Sequence, residues 1–304
     1  MNLQGRSLLD ISDLSREEII FLIDQAKILK SKQKDDSPIF MGKSVALLFF
    51  EPSTRTRTSF EMAAMRTGVR ALNLDFNQSS AQKGETIFDT AKNIEALKPN
   101  AMVIRHYGSG IPLLISKQIK IPVINAGDGF HAHPTQALLD AFTMIEALGD
   151  LKNRQVLIVG DIAHSRVARS NIQCLRLLGA KVTVCGPPTL IPPLATELGV
   201  KVSHNLDRSI PEADVVMALR MQTERQNSFQ VPSLKEYSTR FGITSERAKA
   251  IKDTAILMHP GPINRGVEMT SSVLRDPRSL VMGQVENGVI MRTVLLREIL
   301  GLGK

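Results

Sequence analysis

Cysteine is scarce in this chain, with two residues, Cys174 and Cys185, among 304. Their positions fit neither a disulfide framework nor a metal-ligand set, so both read as thiols packed in a core. Aromatic residues make up only 4% of the chain and no block of Lys or Arg occurs. Dispersed basic charge without such a block argues against a nucleic-acid surface, even at a formal net charge of +8. No apolar run approaches the ~20 residues that span a bilayer. The opening stretch MNLQGRSLLDISDLSREE lacks the basic-then-apolar pattern of a signal peptide. The expectation is a cytoplasmic chain that partners neither membrane nor nucleic acid.

Three familiar fingerprints are incomplete. Gly42-Lys43-Ser44 ends like a P-loop, but Ser37 stands where its leading glycine belongs, and the segment precedes a strand. Val159-Gly160-Asp161-Ile162-Ala163-His164-Ser165 follows a strand and opens a helix, yet it holds one of the three glycines of a dinucleotide loop. His131-Ala132-His133 has no carboxylate or thiol cluster beside it, which is weak support for a metal.

What is present is ordinary in bulk and specific in detail. Hydrophobic residues at 43% and charged residues at 22% suit a globular protein. The length suits two α/β domains better than one core. Ser15-Arg16-Glu17-Glu18 has the form of a capping box opening a helix that runs to about Lys34. Short apolar strands at 44–50, 70–75, 101–105 and 121–125 alternate with helices at 59–67, 85–97, 111–117 and 134–148. After a linker at 149–153, strands are expected at 155–159, 181–185, 214–219 and 255–258. Helices are expected at 166–178 and near 190–198, and a long terminal one at 284–300. This alternation predicts two mostly parallel sheets covered by helices. The predicted division is 1–149, joined by the helix 284–304, and 150–283. Ligands of such sheets bind outside the carboxyl ends of the strands, and a cleft between two such domains is the expected site.

Polar motifs fall at those strand ends. Glu51-Pro52-Ser53-Thr54-Arg55-Thr56-Arg57-Thr58 follows the first strand and leads into a helix. A helix start offers unpaired N–H groups and partial positive charge, and Arg adds a planar fork matched to phosphate oxygens. This many hydroxyls and guanidiniums exceed what capping needs, so the turn predicts a phosphate or carboxylate site. Ser79 and Lys83 lie on a polar loop that could equally be an ordinary solvated turn. Arg105 ends a strand, and His133 and Gln136 sit three apart where a helix begins behind Pro134. Arg220 and Gln222 alternate after another strand, so they point the same way. His259-Pro260-Gly261-Pro262 is stiffened by prolines, while Gly261 lets backbone approach a ligand.

Taken together, and in this order, Ser53-Thr54-Arg55-Thr56-Arg57, Lys83-Gly84-Glu85-Thr86, Arg105-His106, His133-Pro134-Thr135-Gln136, Arg166, Arg220-x-Gln222 and His259-Pro260-Gly261-Pro262 resemble the carbamoyltransferase family over nearly the whole chain. The resemblance implies that Ser53, Thr54, Arg55 and Thr56 bind the phosphate of carbamoyl phosphate with Arg105 adding charge, and that Ser79 also contacts carbamoyl phosphate. Thr56, Arg105 and His133 would face its carbonyl oxygen, and Gln136 with the backbone of Gly261 and Pro262 would hold its amide. Arg166, Arg220, Gln222 and Lys83 would take the second substrate. Arg55, Thr56, Lys83, Arg105 and His133 would carry the catalysis, with no cofactor, metal or covalent intermediate. In this family the loop bearing Ser79 and Lys83 comes from a neighbouring subunit of a trimer; regulatory or dihydroorotase subunits are possible further partners.

Members that use ornithine typically carry cysteine directly after the His of the last motif, where this chain has Pro260. A cationic acceptor would also want carboxylates where Arg220-Met221-Gln222 stands. L-aspartate is therefore the expected acceptor. The alternatives are another amino acid such as ornithine, or an anion-binding protein without activity.

Overall fold

In a computed structural model, the residues described are 2–32, 41–75, 86–221 and 231–302. The strands are β1 (Ser44–Phe49), β2 (Arg70–Asp75), β3 (Ala101–His106), β4 (Val123–Asp128), β5 (Gln155–Val159), β6 (Lys181–Cys185), β7 (Lys201–Ser203), β8 (Val215–Ala218) and β9 (Ile256–Met258). The helices are α1 (Arg16–Ser31), α2 (Thr54–Arg66), α3 (Ile87–Ala96), α4 (Ile111–Ser116), α5 (Pro134–Leu148), α6 (Arg166–Leu177), α7 (Leu206–Ser209), α8 (Leu234–Phe241), α9 (Ser245–Ala250) and α10 (Val281–Leu300). Two compact units result, Met1–Leu139 with Glu286–Lys304, and Asp140–Val285. The chain passes from the first to the second within α5 and returns within α10.

The first unit is built on a parallel sheet ordered β2-β1-β3-β4. Its central strands carry continuous apolar runs because both faces are covered: Val45 through Phe49 of β1 and Ala101 through Ile104 of β3 are all buried. Ala46, Leu48, Met102 and Ile104 meet Ala91 and Ile94 of α3 and Ile115 of α4. The second unit holds a parallel sheet ordered β7-β6-β5-β8-β9. There Leu157, Val159, Val216 and Ala218 pack with Tyr237 and Phe241 of α8.

Local chemistry explains most boundaries. Ser15 caps α1, accepting from the Glu18 N–H at 3.2 Å while the Glu18 carboxylate accepts from the Ser15 N–H at 2.9 Å. Two expectations need correction. The helix expected near 190–198 is a pair of short 3-10 turns, Pro188–Leu190 and Ala195–Leu198, because Pro192 and Pro193 remove the donors a helix would need. The helix after β1 begins at Thr54, so Arg55, Thr56 and Arg57 form its first turn.

Both cysteines are fully buried in these cores. Burial pushes the Cys174 thiol up to about 12 and the Cys185 thiol up to about 11. Thiolate is the reactive form, so its share at pH 8 is about one in a thousand or less. Titration of the native protein at pH 8 with a thiol reagent should therefore detect neither cysteine, and unfolding in denaturant should expose both.

Candidate active site

An open parallel sheet binds ligands where neighbouring strands send their connections in opposite directions. In the first sheet that place lies between β1 and β3, since β2 continues on one side and β4 on the other. The segment after β1 runs through Glu51 and Ser53 into α2, and β3 ends with Arg105 and His106. The Phe50 N–H donates to the Arg105 carbonyl at 2.9 Å, tying the two strand ends together.

Ser53 occupies the N-cap of α2 without a side-chain hydrogen bond to the first turn, whereas serines cap α1, α6 and α8. The first turn of α2 therefore keeps the character of an anion site, with Thr54 and Arg55 exposed and Thr56 buried. Arg57 turns away, its guanidinium 5.2 Å from the centre of the Phe49 ring. The Arg105 guanidinium lies over this turn. Its Nη1 donates to Thr56 Oγ1 and to the Ala126 carbonyl, each at 3.4 Å, and its Nε lies 2.7 Å from the Glu51 carboxylate. Arginine, hydroxyl and helix start thus converge at the end of β1.

The turn before α5 is folded by a buried carboxylate. Asp128 accepts from the Asn125 amide at 2.9 Å and from the N–H groups of Ala132 and Gly110 at 3.0 and 2.6 Å. Its other contact is His131 Nδ1 at 3.0 Å. His133 is buried, with Nδ1 3.5 Å from the Thr135 hydroxyl, and its carbonyl accepts from the Gln136 N–H at 3.0 Å. The His-Ala-His pair therefore splits between two sets of partners. Thr135 also accepts from the buried Arg292 of α10 at 3.4 Å, and Arg292 donates to Ser59 of α2 at 2.8 Å. His106 is held through Nδ1 by the Gly108 N–H at 2.8 Å, and burial pushes it below its ordinary value.

The corresponding place in the second sheet lies between β5 and β8. After β5, Gly160 has φ +132°, and an added Cβ would lie 3.1 Å from the Tyr237 hydroxyl and 3.2 Å from Leu219. Backbone shape and close packing account for this glycine without a dinucleotide. Arg166 opens α6 behind Ser165, whose hydroxyl accepts from the Ala168 N–H at 3.1 Å, and the arginine is 5% exposed. Arg220, half-buried, follows β8. His259 follows β9 and accepts the Gly261 N–H on Nδ1 at 2.8 Å, so its neutral ring carries the proton on Nε2. Gly261 has φ +65° and stands next to Pro262.

Each unit thus holds some of the sequence-predicted residues: Ser53–Thr56, Arg105, His133 and Gln136 in the first, Arg166, Arg220, Gly261 and Pro262 in the second. Ser79, Lys83 and Gln222 lie outside the described residues. Sequence reasoning passed over Glu51, Asp128 and Arg292. A carboxylate directly beside an arginine-rich turn was the available signal for Glu51. Among the described residues, no group of three or more His, Cys, Asp or Glu could hold a metal ion, and no helix is long and apolar enough to cross a membrane.

Residues 6–146 match the family model described as "Aspartate/ornithine carbamoyltransferase, carbamoyl-P binding domain", and residues 152–299 match "Aspartate/ornithine carbamoyltransferase, Asp/Orn binding domain". An aspartate carbamoyltransferase catalytic subunit of Myxococcus xanthus is 53% identical, over 96% of this chain and 98% of that protein. The chain belongs to the aspartate/ornithine carbamoyltransferase family. Among solved carbamoyltransferases, the aspartate transcarbamoylase of Trypanosoma cruzi in complex with carbamoyl phosphate and aspartate superimposes with a TM-score of 0.89. It is 30% identical, with 98% of each chain covered. The ornithine carbamoyltransferase of Pyrococcus furiosus gives 0.87 at 32% identity, with both chains fully covered. Shape alone therefore does not separate the two branches of the carbamoyltransferase family.

Proposed function

We propose that this chain transfers the carbamoyl group of carbamoyl phosphate to the amino group of L-aspartate, giving N-carbamoyl-L-aspartate and phosphate, as a cytoplasmic step of pyrimidine synthesis. The observation that carries the reading is the convergence of Arg105 and Thr56, 3.4 Å apart, on the start of α2. Such a cluster suits a phosphate and a carbonyl held side by side.

Carbamoyl phosphate is a mixed anhydride, so the reaction forms one C–N bond and breaks one C–O bond, with phosphate as a good leaving group. Orientation of the amine and fixed positive charge where the carbonyl oxygen becomes an oxyanion are then the main requirements. Thr56, Arg105 and His133 supply that charge and those donors. Ser53, Thr54, Arg55 and the first turn of α2 take the phosphate, and Gln136 with the backbone at Gly261 and Pro262 takes the amide. Arg166, Arg220 and Gln222 pair with the carboxylates of aspartate. The departing phosphate accepts the proton lost by the amine.

The reading includes a homotrimer in which a neighbouring chain contributes Ser79 and Lys83. Mixed trimers of Arg55→Ala and Lys83→Ala chains, each inactive alone, should regain activity because some sites then hold both residues. Proven mixed trimers without recovery would exclude shared sites. The function itself is tested by incubating the protein with carbamoyl phosphate and aspartate. Phosphate release and N-carbamoyl-aspartate should appear together, and release that does not depend on the amino acid would contradict the reading.

A further inference from the structure

Glu268 is 1% exposed, with its side chain wholly out of solvent. A carboxylate in such a place is costly unless donors surround it. Its Oε1 accepts from the Met221 N–H at 2.9 Å and from the Asn264 side-chain amide at 2.8 Å. Its Oε2 accepts from the Asn264 N–H at 2.7 Å and lies 3.8 Å from His259 Nε2. Met221 stands between Arg220 and Gln222, the pair read above as gripping the acceptor's carboxylates. Asn264 and His259 flank Gly261 and Pro262. One carboxylate therefore joins the connection after β8 to the connection after β9.

The contacts continue inward. The His259 N–H donates to Gln284 Oε1 at 2.9 Å, and Gln284 Nε2 donates to Asp140 Oδ1 at 2.7 Å. Asp140 Oδ2 accepts from the Asn171 amide at 2.9 Å, and Asn171 lies on α6, the helix that Arg166 opens. Asp140, Asn171, Gln284, His259 and Glu268 are all 3% exposed or less. This series of buried groups links the connections after β8 and β9 to α6.

We propose that Glu268 is a positioning residue for the acceptor: by fixing the Met221 N–H against Asn264 and His259, it aims the neighbouring Arg220 at the dicarboxylate. The proposal rests on the functional reading above. It explains why an acidic side chain is kept where the substrate is an anion. The charge is met by the Met221 and Asn264 N–H groups and the Asn264 side-chain amide.

Glu268→Gln keeps the size but turns an amide N–H toward a backbone N–H in either orientation. Losing a buried hydrogen bond of this kind corresponds to a rise of about 10- to 100-fold in the KM for aspartate. The kcat should fall by less than the KM rises. Binding of inorganic phosphate, whose proposed contacts lie in the first unit, should stay unchanged. Glu268→Asp, which keeps the charge on a shorter arm, should recover part of the aspartate affinity. If Glu268→Gln does not fold, as judged by thermal melting, Asn264→Ala decides the matter. It leaves the carboxylate in place and should raise the aspartate KM in the same direction, by roughly threefold to tenfold for the lost side-chain hydrogen bonds to Glu268 and the Met221 carbonyl. An unchanged aspartate KM in a folded variant, or an equal loss of phosphate binding, would overturn the positioning role. A wild-type protein that turns over no aspartate would instead overturn the functional reading on which it rests.

Discussion

Replacing Arg105 with alanine should lower kcat by about 10²- to 10³-fold, the range seen when one oxyanion donor is removed from a preorganised site. The arginine reaches three elements at once: Thr56 at the start of α2, the Ala126 carbonyl of β4, and Glu51 behind β1. Alanine removes the charge from the place where the reaction develops its own. It also strands Glu51, whose side chain is 12% exposed, without its guanidinium. Breaking a buried pair in this way destabilises by up to about 3 kcal/mol when some solvent remains. Steady-state kinetics and a urea melt on the same preparation separate the two effects. Arg105→Lys keeps the charge but not the fork, and should recover stability more fully than rate. Wild-type kcat in Arg105→Ala would remove this residue from the chemistry.

Replacing Arg220 with alanine should act on the other substrate. A guanidinium paired with a carboxylate away from bulk water is worth about 2–5 kcal/mol when one partner is truncated, or roughly 30- to 5000-fold in affinity. We expect a rise of about 10²-fold in the KM for aspartate, with binding of inorganic phosphate unchanged. Half-buried Arg220 lies two residues past the end of β8, so the substitution leaves the apolar strand Val215–Ala218 in place. Isothermal titration with phosphate and initial rates against aspartate concentration make the comparison. An equal loss for both ligands would mean that Arg220 supports the fold instead of the acceptor.

Much of the fold is legible in the sequence for a simple reason. Strands buried on both faces leave continuous apolar runs, such as Val45–Phe49 and Val156–Val159, and these survive any uncertainty about their neighbours. Strand order is less visible, because periodicity does not say which strands pair. Yet order explains the placement of the motifs. Ser53–Thr56 follow one of the two strands that flank the reversal in the first sheet and Arg105 lies at the end of the other, while Arg166 and Arg220 follow those that flank it in the second. The start of α2 was harder to read, since Thr-Arg-Thr-Arg-Thr has no apolar spacing until Phe60.

The buried carboxylates were hidden for a different reason. Asp128 stands between two glycines and Glu268 between Val267 and Met269, and a lone acidic residue ordinarily faces water. Only the fold brings the Met221 N–H, 47 positions away, to Glu268, and the Gly110 N–H, 18 positions away, to Asp128. The same holds for Arg292, which reads as one charge on a terminal helix and proves to be 3% exposed against Ser59 and Thr135. Sequence reasoning finds polar motifs at strand ends more readily than the buried groups that hold them still.

The most direct test of the account is a competition in one tube. Carbamoyl phosphate labelled with ¹³C on the carbonyl is offered with equal concentrations of L-aspartate and L-ornithine, and the label is followed by NMR. The account predicts N-carbamoyl-aspartate as the labelled product, with no label on ornithine above the uncatalysed rate. Label on ornithine, or no transfer to either amino acid, would contradict it.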